Sequence, residues 1–162
     1  MYKKVCRVRV MVTGNIIFPL WALLFLHPLF LLVMLMGNLI IDSAVALVFS
    51  KLTNIQMERN TFIRLILSIW VAGFLADLAA FAWLFLMAMG FDFVDVYWIY
   101  TSIFSIITFF SAIILAAVTI YLIDKKMALK AGFVDHQAKS FAFIMAVVTA
   151  PYLMLIPTPI FL

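Results

Sequence analysis

Residues 15–49 read NIIFPLWALLFLHPLFLLVMLMGNLIIDSAVALVF, 35 positions with no Lys, Arg or Glu and a single Asp. This stretch decides the fold class. A helix on the surface of a soluble protein carries an apolar stripe, not an unbroken apolar surface. The hydrophobic region of a cleaved signal is only about 7–15 residues long. A run of roughly 18 or more apolar residues marks a membrane-crossing helix. As one helix the stretch would reach roughly 50 Å, against a hydrocarbon core of about 30 Å. It therefore breaks, and His27-Pro28 supplies the break. Proline removes a backbone donor and disfavours the α conformation in the residue before it. Two limbs result, 11–26 and 28–50, the first carrying Pro19.

The rest of the chain repeats the pattern. Of 162 residues, 69% are hydrophobic and 11% charged, against about 45–50% and 25% in soluble domains. Backbone groups in lipid need internal partners, so only helices or a closed barrel can cross. Barrel strands alternate over about ten residues, and these runs are continuous. The expected fold is all-α, a polytopic transmembrane helix bundle of four full spans plus a shorter N-terminal membrane helix. The five segments run about 11–26, 28–50, 61–89, 98–123 and 140–162. Residues 1–10 form a basic arm, and 11–162 a single helical domain. Pro151 is expected to kink the last span, with Pro157 and Pro159 ending its regular part.

Charge orients the bundle. If both limbs of the first stretch cross, all eleven Lys and Arg fall on one side, in the arm (Lys3, Lys4, Arg7, Arg9), in KLTNIQMERN (51–60) with Arg64 just beyond, and in DKKMALKAGFVDHQAK (124–139). The other side carries Asp92 and Asp95. Basic loops lie in the cytoplasm, which places the C-terminus outside. A single crossing would split the basic residues and is disfavoured. Tyr97, Trp98 and Tyr100 match an interfacial aromatic belt. A bacterial plasma membrane is the expected location. The net charge of +4 is absorbed by this orientation pattern, so no nucleic-acid partner is expected. Partners are the lipid bilayer and either other membrane subunits or copies of the chain itself.

Few residues inside the spans carry chemistry. Asp42 and Asp77 are the carboxyls placed there, and each costs about 2.5–3.5 kcal/mol on insertion scales. Counting from the inner helix ends, Asp42 lies roughly 12 Å deep and Asp77 roughly 20 Å. Asn38, one turn beyond Asp42, shares the depth of Asp77, while Ser68 is nearer that of Asp42. The expected polar seam is Asn38, Asp42, Arg64, Ser68 and Asp77, with Arg64 at the inner mouth within reach of Asp42. Two accounts of it stay open. One is a proton or cation relay. The plainer is helix glue, worth about 0.6 kcal/mol per bond. Close helix packing is expected at Ala72, Gly73, Ala76 and Ala80, a small-residue repeat. Ser105 and Thr108 share a face with Thr101 and Ala112, as a packing stripe whose hydroxyls bond their own backbone.

The remaining candidates point to nothing sharper. Cys6 is the only cysteine, flanked by Lys4 and Arg7, and His27 and His136 are isolated. No spacing suits a metal, and no nucleophile is paired with a base. No cofactor, metal or catalytic set is expected, and no enzymatic activity. The expected function is a non-enzymatic subunit or accessory component of a larger membrane complex. The alternative is a small homo-oligomeric transporter or ion or proton channel using Asp42 and Asp77.

Overall fold

A computed structural model describes residues 27–91, 94–95 and 99–156. The arm 1–10, the limb 11–26, Asp92, Tyr97, Trp98 and the stretch 157–162 with Pro157 and Pro159 lie outside the described residues. Four helices follow in order: α1 (Pro28–Leu52), α2 (Arg59–Gly90), α3 (Ile103–Lys130) and α4 (Asp135–Val148). Short 3-10 turns, Ile99–Thr101 and Tyr152–Leu155, precede α3 and follow α4. There is no strand among the described residues. Four helical stretches are long and apolar enough to cross a membrane: α1, α2, α3, and α4 continued to Leu155. The fifth, N-terminal membrane helix is not shown.

Helix ends follow local chemistry. Pro28 opens α1 with His27 as its N-cap, where the missing N–H costs nothing. At the other end of α1, Asn54 adopts φ 52. Its N–H bonds the carbonyl of Lys51, and the N–H of Ile55 bonds that of Ser50. α3 ends the same way. Gly132 has φ 96, its N–H reaches Leu129 and the N–H of Phe133 reaches Ala128. Both are Schellman stops, which need a residue that tolerates the left-handed region. Ser102 caps α3 by accepting from the N–H of Phe104 at 3.2 Å.

Two extents differ from the sequence expectation. α3 starts at Ile103, not 98, and runs to Lys130 rather than 123. The segment 124–139 is mostly helix, because Lys125, Lys126 and Lys130 are good helix formers and nothing breaks the turn before Gly132. α4 starts at Asp135 and its α-helical part ends at Val148, so Pro151 follows the helix instead of kinking it.

The core lies between α2, α3 and α4. Leu65, Ile69, Ala72, Ala76, Ala80 and Leu84 form the buried stripe of α2. On α3 the stripe is Ser105, Phe109, Ala112, Ala116, Ile120, Asp124 and Ala128. Steps of three and four residues keep each stripe on one face, and the alanines let the backbones approach. α3 is central, with its broadest contacts to α2 and α4. The indole N–H of Trp83 donates to Ser111 Oγ at 2.9 Å, between α2 and α3. Outward faces carry exposed Leu, Ile, Val and Phe, the surface lipid would cover.

α1 sits differently. The Trp70 indole donates to the Leu35 carbonyl at 2.8 Å, while Asn38 donates to Asp77 at 3.2 Å. For two antiparallel helices lying side by side these contacts disagree by ten residues of register, about 15 Å. Both hold only if α1 crosses α2 obliquely near Asn38. Its basic end reaches the α3–α4 turn and α4, where Phe49 stacks on Phe133 of the turn at 6.0 Å and meets Phe141 of α4 edge-on at 5.3 Å.

Candidate functional site

Three carboxyls lie inside the bundle. Asp42 and Asp77 are each 3% exposed, and Asp124 is 1% exposed. α1 brings Asp42 inward at its crossing with α2. The carboxyl packs beside Gly73, where a built Cβ would stand 4.0 Å from Asp42 Oδ2, an ordinary contact distance. Asp77 follows one turn along α2. Its Oδ2 accepts from Asn38 Nδ2, and its Oδ1 has no partner among the described residues. Asp124 comes from α3, continuing the stripe of Ala112, Ala116 and Ile120. Neither of its carboxyl oxygens has a hydrogen-bond partner among the described residues. Asp42, Asp77 and Asp124 come from α1, α2 and α3, one buried carboxyl from each.

No described Lys, Arg or His makes an ion pair with any of the three; the ion pairs among the described residues are those of exposed Asp135 with Lys125 and Lys139. An unpaired buried charge is very costly. Three such charges inside one bundle demand compensation by protons or by a bound cation. No group of three His, Cys, Asp or Glu with metal-holding geometry occurs among the described residues.

The expected seam is thus partly rearranged. Asn38 and Asp77 meet, and Asp42 lies with them against Gly73. Ser68 and Arg64 lie elsewhere. They line a cavity of about 240 Å³ between α2 and α3, with Thr61, Met127 and Lys130. Arg64 is exposed and makes no ion pair with Asp42. Of the expected packing residues, Ala72, Ala76 and Ala80 are buried, and Gly73 faces Asp42. Ser105 is fully buried, and its hydroxyl accepts from the N–H of Asp95 at 2.7 Å. Thr108 is half-buried and offers its carbonyl to Ser111.

Asp124 is the residue that sequence reasoning assigned to a loop. The signal for it was present. It stands four residues after Ile120 and four before Ala128, in register with the small-residue stripe of α3. The neighbouring Lys125 and Lys126 masked it, because a charged triplet resembles the end of a span.

Toward the end of the bundle that carries Asp95 the core continues: Ala80, Leu84 and Phe109 are each 0% exposed, and Ile99 and Met154 of the two 3-10 turns are buried as well. Toward the basic end the nearest carboxyl is Asp124, six residues from the end of α3, or about 9 Å. Comparison with protein-family models, curated proteins and solved structures finds no match to this chain.

Proposed function

We propose that the protein is a non-enzymatic integral membrane carrier of protons, or of small monovalent cations, with Asp124, Asp42 and Asp77 as the successive binding groups. The observation that carries this is the carboxyl of Asp124, buried at 1% exposure with both oxygens free of hydrogen-bond partners among the described residues. Structural glue binds its polar groups to one another. Here only Asp77 is so bound, through one oxygen to Asn38. A carboxyl that keeps an oxygen free can take up and release a proton without breaking the packing around it.

In the proposed path a proton from the basic end enters at Asp124. It passes through intervening water to Asp42 and then to Asp77, each step protonating one carboxylate and leaving the donor ionised. Asn38 keeps Asp77 oriented. The layer of Ala80, Leu84 and Phe109 blocks the exit, so release on the far side requires that layer to part. All three acids are buried, so uptake at the basic end likewise requires the packing to open, and a carrier opens to one side at a time whereas an open pore has no seal. In this proposal the basic end faces the cytoplasm of a bacterial plasma membrane, following the positive-inside rule. An assembly subunit would aim its acids at a partner helix, but the three acids of this chain point inward.

The test is proton flux into proteoliposomes driven by a potassium diffusion potential and read by an entrapped pH dye. Wild-type protein should acidify the lumen, and Asp77→Asn and Asp124→Asn should each lower the rate to that of protein-free vesicles. Full flux in both variants, with normal insertion, would exclude these carboxyls from any relay. Flux that follows a sodium gradient instead identifies the alkali-cation form of the carrier.

A further inference from the structure

A second cavity lies apart from the acids, at the basic end where α1 turns into α2. Its volume is about 490 Å³. Ser50, Lys51, Asn54, Gln56 and Arg59 supply its polar lining, and Leu47 and Phe62 part of its apolar lining. Its floor is a defined turn, fixed by the two backbone bonds of the Asn54 stop. Lys51 and Arg59 are exposed and make no ion pair among the described residues. The nearest acid in sequence, Glu58, is exposed and not part of the lining. By contrast, in the other basic segment the exposed Asp135 already holds Lys125 and Lys139.

Position selects the ligand. The cavity sits at the ends of two membrane-crossing helices, where lipid headgroups lie. Apolar Leu47, Val48 and Leu52 are exposed on the adjoining face of α1, so an acyl chain can run down the helix from it. Cations above and apolar side chains below match an anionic phospholipid, and basic pockets between helix ends are known to hold such headgroups. We propose that this cavity binds the phosphate headgroup of an anionic phospholipid, with Lys51 and Arg59 as its charge partners and Asn54 and Gln56 as hydrogen-bond donors. The proposal is independent of the carrier function.

The experiment is native mass spectrometry of the full chain released from vesicles of phosphatidylglycerol and phosphatidylcholine in equal amounts. Wild-type protein should retain phosphatidylglycerol preferentially. Lys51→Gln with Arg59→Gln should reduce that preference roughly thirtyfold, at about 1 kcal/mol per charge. Lys126→Gln with Lys130→Gln removes the same charge at the same end of the bundle and should leave the preference intact. No preference in the wild type, or an equal loss in the two double variants, would overturn the proposal in favour of a diffuse surface field. Displacement of the lipid by millimolar inorganic phosphate would also overturn it, since the site would then serve a soluble anion.

Discussion

Replacing Asp124 by Ala should make the protein more stable and inactive at once. A buried polar group without a partner costs about 1–3 kcal/mol relative to an apolar one. Asp124 is 1% exposed and both of its oxygens are unpartnered among the described residues, so the substitution recovers that cost. Against it stands the space the carboxyl leaves. That space is about the volume of one water, ~30 Å³, which at ~24 cal/mol per Å³ of cavity costs about 0.7 kcal/mol. Alanine suits the position otherwise, since Ala112, Ala116 and Ala128 occupy the same stripe. The net expectation is a gain of about 0.5–2 kcal/mol, or roughly 1–8 °C in melting temperature. The assay is thermal unfolding in a mild detergent, followed by tryptophan fluorescence, with flux measured on the same preparation. A loss of more than about 1 kcal/mol would show that Asp124 holds the fold through a bond. A variant of unchanged stability with full flux would show that the acid is neither a strain nor a relay group.

Asp77→Asn should keep the hydrogen bond from Asn38, because the new amide oxygen can accept it, and so abolish flux with little change in stability. Asp77→Leu leaves Asn38 without its partner and should destabilise the protein by about 1–3 kcal/mol in the same unfolding assay. Trp83→Phe removes the bond to Ser111 and should cost about 0.5–1.5 kcal/mol, without affecting transport. Gly132→Ala places a Cβ at φ 96 and should lower the melting temperature by several degrees, at a strain of about 1 kcal/mol or more. For orientation, a single cysteine at Ala131 in a Cys6→Ser background should be labelled only from the cytoplasmic side. One at Gly90 should be labelled only from outside, and the opposite pattern would reverse the orientation proposed above.

The fold class was legible because it rests on composition and run length. Unbroken apolar stretches longer than a bilayer core leave helices as the available solution, and His27-Pro28 marked the start of α1 directly. The small-residue repeat of α2 likewise declared its packing face, since spacing along one helix is a property of sequence alone. Asn38 could be matched in depth to Asp77 by counting residues, but depth counted along parallel helices did not show that α1 crosses α2 obliquely. Asp42 meets Gly73 instead of Ser68, in the register that the Asn38–Asp77 pair itself sets, and Arg64 stays outside the acid cluster. Tertiary structure alone decided that Asp124 is an interior residue. Its neighbours in sequence are lysines that reach solvent, while its own side chain points along the buried stripe of α3. A helix presents adjacent residues about 100° apart, so a charged triplet can have one member in the core and two at the surface, and only the packing of α3 among its neighbours determines which.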